Sequence, residues 1–213
     1  MKKFLVILIL ILLPLLVAGN SYNQKVYQKD NFDYTCIYPE TYEDFITRVL
    51  CNMKLFSPIY KDIFYISVKE QVDFLEILPL LMIENTTANP FAVGINYKKE
   101  YSKSKRKMIQ KVVSKDKGLF QLNSMYESYF EEKYWKGYSE KEEFDIFNYI
   151  HNSTVAMRLY KDLKSSLENQ TFYAVIAYNA GIGSVLNKQV PEKTYKEYIQ
   201  NYYKNKNKIN RSK

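Results

Sequence analysis

Residues 4–18 carry no polar side chain. They follow Lys2-Lys3 and end in the small residues Ala18 and Gly19. A basic start, a short apolar run and small residues at the exit predict a secretory signal peptide over residues 1–19. The run falls short of the roughly 20 apolar residues of a membrane span. Left uncleaved, the same segment would anchor the chain to a membrane. Residues 20–40 are polar without periodicity and read as a linker. Thr41 and Asp44 have capping-box spacing, and Phe45, Ile46, Val49 and Leu50 then mark one apolar helical face up to about Met53. Ser57-Pro58 breaks that pattern. Residues 20–66 are therefore read as an N-terminal linker with an accessory helix.

The main domain is placed at residues 67–203. Ser67 and Glu70 have capping-box spacing, and Val72, Leu75, Leu78, Leu81 and Met82 follow at helical intervals. Pro79 inside this run predicts a kink or a split. Glu84 closes it, where a buried helix meets the polar Asn85-Thr86-Thr87. Residues 94–117 are rich in Lys, Ser and Tyr around Met108, Ile109, Val112 and Val113, and read as a variable loop with room for a short helix. Residues 119–130 look helical. Residues 140–167 hold one or two helices with a core stripe of Ile150, Val155, Leu159 and Leu163. Residues 171–180 form an apolar helix that Gly181 terminates. Gly183-Ser184 opens a short helix, and residues 193–203 make the last one. No segment alternates convincingly with period two, so the expectation is an all-α domain with a basic tail at 204–213.

Composition narrows the chemistry. The 213 residues suffice for one domain with a sizeable core. The one histidine, His151, and the two cysteines, Cys36 and Cys51, make a poor metal-ligand set. No phosphate-binding glycine loop is present. No metal or cofactor is expected, and the candidates for catalysis are carboxylates and tyrosines. In an exported chain Cys36 and Cys51 either pair or stay as free thiols; a bridge would add about 3 kcal/mol by chain entropy.

The net charge is +8 and falls to +6 without Lys2 and Lys3. Residues 98–117 carry nine Lys/Arg against Glu100 and Asp116, a balance of +7, and residues 204–213 add five cations. The rest of the mature chain then sums to −6. Both basic segments read first as solvated loop and tail. Their functional reading is attraction to an anionic polymer such as a cell-wall glycan. Export and the acidic remainder argue against nucleic acid. Asn85, Asn152 and Asn169 each head an Asn-x-Thr triplet, read as chance matches to the glycosylation pattern in an Asn-rich chain.

Three motifs stand in order: Glu84 with Asn89-Pro90, Gly118-Leu119-Phe120-Gln121, and Ala177-Tyr178-Asn179-Ala180-Gly181. Together they resemble the lytic transglycosylase (soluble lytic transglycosylase-like, goose-lysozyme-like) family of peptidoglycan-cleaving enzymes, over roughly residues 67–200. The resemblance implies a lysozyme-like fold with Glu84 as the catalytic acid. It implies that Gly118 lets the chain pass close to the sugar site. It places Gln121, Tyr178 and Asn179 against substrate: Gln121 bonding a sugar amide or hydroxyl, the Tyr178 hydroxyl near the acid, and Asn179 bracing loop or substrate. The family's closing pattern fits Pro191-Glu192-Lys193-Thr194. Tyr195 or Tyr198 then fills a cleft position, with Tyr198 preferred. Two departures are visible. Asn85 replaces the usual serine, and the Glu-to-Pro spacing is one residue longer than usual.

A glycosidic bond breaks when its oxygen is protonated as positive charge builds on the sugar, so the acid must keep its proton near neutral pH. The resemblance implies that one Glu suffices. The substrate's N-acetyl group supports the cation, and the C6 hydroxyl closes a 1,6-anhydro ring on MurNAc without water. A second carboxylate would point to a water-using muramidase instead; the candidates are Glu100, Asp116 and Asp145, the first two in a segment read as exposed. A wall-binding or assembly protein of the same fold is the third reading. The expected partner is the peptidoglycan strand, and the expected location is the periplasm or cell envelope of a bacterium.

Overall fold

The computed structural model describes residues 27–29, 32–34, 41–55, 57–102, 104–136 and 142–212. The predicted signal peptide lies outside the described residues, as does Cys36 and with it any pairing to Cys51, which is exposed. The chain divides into two compact units, one reaching Lys54 and one running from Leu55 to Ser212. In the first, β1 (Tyr27–Lys29) and β2 (Phe32–Tyr34) pair antiparallel inside the segment expected to be an irregular linker. Helix α1 (Tyr42–Asn52) follows. Its capping box forms as the spacing predicts: the Thr41 hydroxyl accepts from the Asp44 N–H, and the Asp44 carboxylate accepts from the Thr41 N–H.

The second unit is mostly helical, in keeping with the lysozyme-like expectation. Helix α2 (Pro58–Glu70) occupies a stretch with no predicted element. Ser57-Pro58 ends one pattern because it begins the next, with proline at the first helical turn, where no N–H is needed. Ser67 and Glu70 are therefore not a capping box. Ser67 sits inside α2 and donates to the Phe64 carbonyl at 2.7 Å, while Glu70 accepts from Arg158 Nε at 2.7 Å. Gln71 turns the chain through a left-handed conformation, and the Asp73 carboxylate caps α3 (Phe74–Glu84) by accepting from the Leu75 N–H.

Helix α3 is the core helix. Ile77, Leu78, Leu80 and Leu81 are all fully buried, each contributing about 1.5–3 kcal/mol by transfer from water. The helix runs through Pro79 as one segment rather than splitting; Pro79 is itself buried in the core, where tertiary packing outweighs the lost backbone bond. It packs against α2 and against α8 (Gln200–Arg211). The segment expected to be a solvated tail continues the last helix as far as Arg211, with Ile209 buried and Lys204, Lys208 and Arg211 exposed. Helix α5 (Tyr149–Ser166) packs on α2 and on α6 (Thr171–Ala180), which Gly181 ends before the short α7 (Ile182–Leu186). Of the predicted stripe on α5, Val155 and Leu163 are buried, whereas Ile150 is exposed; the buried stretch is continuous from His151 to Met157.

Two regions depart from an all-helical picture. Residues read as a loop form a long hairpin, β3 (Val93–Ser102) against β4 (Lys107–Lys117), and the two-residue β5 (Leu122–Asn123) extends it to a three-stranded sheet. Strand alternation was illegible because both faces of the hairpin meet solvent along much of its length, so no apolar side is segregated. The helix expected over 119–130 is instead a turn through left-handed Gln121, β5, a 3₁₀ turn (Ser124–Tyr126) and the single turn α4 (Glu127–Phe130), which widens into a π-helical turn at Glu131–Trp135.

One polar node ties α3 to α5 and α6. The Glu76 carboxylate accepts from Lys164 Nζ at 2.7 Å, Thr171 Oγ1 at 2.9 Å and Tyr160 OH at 3.1 Å. Burial pushes its pKa up, but the bonds from Lys164 and Thr171 outweigh that and hold it below the ordinary value. A carboxyl depressed in the folded state stabilises above its unfolded pKa, and the contribution is lost as pH falls through the folded one. Glu76→Ala, which strands the Lys164 charge, should cost about 2–4 kcal/mol in urea unfolding at pH 7. That difference from the parent should shrink as the titration is repeated at acidic pH.

Candidate active site

Glu84 is the last residue of α3. The chain must leave the core here, and Asn85 manages the exit. Asn85 is 6 % exposed; its amide donates to the Asn89 carbonyl at 2.6 Å, and its Oδ1 accepts from the Asn89 N–H and the Thr87 hydroxyl at 3.1 Å. A serine hydroxyl is too short to span the loop in this way. The asparagine and the one-residue extension are thus a matched pair, and left-handed Ala88 absorbs the extra residue at φ +49. Past Pro90 the chain is tied to the next motif by the Gly118 N–H, which donates to the Ala92 carbonyl at 3.0 Å.

Gly118 has φ +79, and a Cβ there would lie 2.3 Å from Asn152 Nδ2 and 2.6 Å from the Ile146 carbonyl oxygen. The glycine is required by packing against Asn152 of α5 and the Ile146 carbonyl. Asn152 is fully buried on α5. Its Oδ1 accepts from the Phe120 N–H at 2.8 Å, and its Nδ2 donates to the Lys117 and Ile146 carbonyls at 3.1 and 3.0 Å. Sequence reading gave Asn152 no role beyond a glycosylation triplet; its neighbours His151, Ser153 and Thr154 are polar and gave no sign of burial.

Glu84, Gln121, Tyr178 and Asn179 line one cleft of about 690 Å³, a size typical of ligand sites. Gln121 spends its amide N–H groups on the Gly118 carbonyl at 2.8 Å and, more weakly, the Ala92 carbonyl at 3.4 Å. Tyr178 OH donates to the Phe120 carbonyl at 3.0 Å, and Asn179 Oδ1 accepts from the Thr194 hydroxyl at 3.0 Å. Tyr198 lies in a π-helical turn, Thr194–Ile199, and donates its hydroxyl to Glu84 Oε1. Tyr195 is exposed and tilts against Phe172. His151 is away from the cleft, tilted against Trp135 with ring centroids 3.9 Å apart, and its Nδ1 accepts from the Asp145 N–H.

The three candidate second carboxylates part company. Glu100 pairs with Lys111 on the hairpin at 3.7 Å, and Asp145 caps the Phe147 N–H. Asp116, expected to be exposed, is half-buried and lines the cleft with Glu84. Asn96 Nδ2 holds it by donating to Asp116 Oδ2 at 2.8 Å and to Ser114 Oγ at 3.0 Å, while Asn123 Nδ2 donates to the same Ser114 oxygen at 3.0 Å. Asn96, Asp116 and Asn123 all line the cleft, so the base of the hairpin forms its polar wall. A β-bulge immediately beyond, at Asn96/Tyr97, separates this wall from the outer hairpin.

Electrostatics follow from this arrangement. Burial pushes the Glu84 carboxyl up to about 7; the Tyr198 bond opposes the rise and the Asp116 charge adds to it. Burial, then the Glu84 charge, holds the Tyr198 and Tyr178 hydroxyls well above their ordinary range, so both remain donors. Glu84 Oε2 has no protein partner among the described residues. The cleft therefore holds a carboxyl able to keep a proton at neutral pH and to give it up.

A largely helical domain with a lone raised carboxyl on a cleft wall and a small sheet facing it is the architecture of lysozyme-like glycan-cleaving proteins. The Transglycosylase SLT domain profile matches residues 69–201, and the chain belongs to that family. It carries a transglycosylase-type domain whose substrate is peptidoglycan. No curated protein and no solved structure is significantly similar to the chain.

Removing the Asp116 charge should make Glu84 easier to ionise. Because a general acid works in its protonated form, activity declines as pH rises through the acid's pKa. Asp116→Asn should move that decline to lower pH in a pH–rate profile on soluble glycan fragments. A decline that stays in place would mean that the Asp116 charge does not reach Glu84.

Proposed function

We propose that the protein is an exported lytic transglycosylase that cleaves the β-1,4 bond between MurNAc and GlcNAc and leaves 1,6-anhydro-MurNAc ends. The observation that carries this reading is the Glu84 carboxyl, raised to about 7 at the end of a buried helix and held through one oxygen by Tyr198. In the proposed reaction Glu84 gives its proton to the glycosidic oxygen, and the bond from that oxygen to MurNAc C1 breaks. The substrate's N-acetyl oxygen supports the cation at C1. The C6 hydroxyl oxygen then bonds to C1 and its proton passes to the Glu84 carboxylate. The acid thus ends as it began, and no water is consumed. A group that both gives and takes a proton works best with its pKa near the ambient pH.

Tyr198 would fix the carboxyl rotamer so that Oε2 faces the scissile bond. Gln121, Tyr178 and Asn179 would then shape the cleft around the sugar, Gln121 offering its Oε1 and Tyr178 backing the Phe120 turn. Residues 1–19 would direct export to the bacterial cell envelope. A water-using muramidase is the second reading, and the observation that favours it is Asp116 in the same cleft, a carboxylate able to accept a proton from water.

Glu84→Gln keeps the shape of the site without the proton. It should lower release of fragments from purified sacculi by at least about 100-fold while circular dichroism stays unchanged; wild-type turnover would remove the central assignment. Mass spectrometry of the released muropeptides decides between the two readings. Anhydro ends are lighter by one water than the reducing ends that hydrolysis leaves, and predominance of the reducing ends would make the protein a muramidase.

A further inference from the structure

The hairpin outside the cleft has two unlike faces, and its register identifies them. Gly94 pairs with Asp116 and Asn96 with Ser114, so these residues share the cleft face. The bulge inserts Val113 into β4 alone, which leaves the alternation of β3 intact. Val93, Ile95, Tyr97, Lys99 and Tyr101 therefore point the other way, joined beyond the bulge by Val112, Gln110 and Met108, the partners of Tyr97, Lys99 and Tyr101. The Glu100–Lys111 ion pair belongs to the cleft-side face and confirms the assignment.

The outer face is an apolar and aromatic ladder open to solvent. Ile95, Tyr97, Tyr101, Met108 and Val112 are between 45 and 57 % exposed. Cations surround it. Lys99 and Lys115 share the face, Lys105 and Arg106 stand at the hairpin tip, and all four are exposed and form no ion pair among the described residues. A hydrated polyanion would satisfy the cations and gain nothing from the ladder. A soluble protein core would take the ladder and waste the cations. An anionic bilayer surface takes both: tyrosines and short apolar side chains sit at the headgroup boundary, while lysine and arginine reach the phosphates. No described helix is long and apolar enough to cross a membrane. Lys98, Lys99 and Glu100 within β3 keep the hairpin out of hydrocarbon, so the contact is interfacial and the unpaired strand edges stay among headgroups.

We propose that the outer face of the β3–β4 hairpin docks on an anionic phospholipid surface, with Tyr97, Tyr101 and Met108 seated at the headgroup boundary. The Asn96–Asp116 wall lies on the opposite face, so the cleft stays turned from the lipid. The inference is independent of the reaction chemistry and survives failure of the transglycosylase reading.

The test uses the full chain with Cys36 and Cys51 replaced by serine and an environment-sensitive dye on Met108→Cys. The readout is local, so a bound N-terminal segment cannot mimic it. Vesicles containing phosphatidylglycerol should blue-shift the dye, pure phosphatidylcholine vesicles should do so far less, and added salt should reverse the shift. Replacing Lys99, Lys105 and Arg106 by glutamine should weaken the response about fivefold per charge removed. Tyr97→Ser with Tyr101→Ser should abolish it, while cleavage of soluble glycan fragments remains at the parent rate. A dye that stays in water while the chain pellets with anionic vesicles overturns the proposal. An equal shift on neutral vesicles overturns it as well. If the glutamine substitutions instead weaken binding to purified sacculi and vesicles never shift the dye, the hairpin is a wall-polymer contact and the lipid assignment is wrong.

Discussion

The amide of Asn152 is the interaction on which the site depends. It fixes the turn at Gly118 from below, through the Phe120 N–H and the Lys117 carbonyl. Everything above is referenced to that turn. Gln121 bonds back to the Gly118 carbonyl, Tyr178 to the Phe120 carbonyl, and the Gly118 N–H reaches the loop that follows Glu84. A buried amide of this kind is favourable only when its donors and acceptors are met, and here bonds to three residues of the turn and its flank meet them. The acid on α3 and the tyrosine on α6 are thereby held to one frame supplied by α5.

Helix α3 carries two glutamates that share a burial cost and end with opposite affinities for a proton. At Glu76 the cost is overcome by three donors, one of them the Lys164 cation. At Glu84 the only donor among the described residues is a neutral hydroxyl, and the nearby charge is the anion of Asp116. Desolvation is common to both, and the sign is set by the neighbours. The same helix thus supplies a carboxylate tie that its donors hold toward the ionised form at one end and a proton donor at the other.

This also explains what could be read from the chain. Glu84, Gly118, Gln121 and Tyr178 lie in short motifs with fixed local geometry, so their neighbourhood was legible, and so were the cap on α1 and the end of α6 at Gly181. Asp116 and Asn96 were not. They meet across a strand pair twenty residues apart, and the strands that bring them together hide their alternation by exposing both faces. Asn152 looked like any surface asparagine, because its partners are backbone groups that carry no sequence signal. The lysines of 204–213 looked like a tail because Ile209 alone among the described residues of that stretch is buried, a faint pattern beside so much charge.

The burial of Asn152 and Asn85 has a bearing on how the protein is made. Both head triplets that a eukaryotic secretory pathway reads as glycan acceptors, yet in the folded protein neither amide has room for a sugar. Such a pathway attaches its glycans while the chain is still being threaded into the lumen. A glycan on Asn152 would block the clamp before it could close, and the chain would be retained as a misfolded glycoprotein. A bacterial host, which leaves these asparagines bare, is the suitable source of folded material.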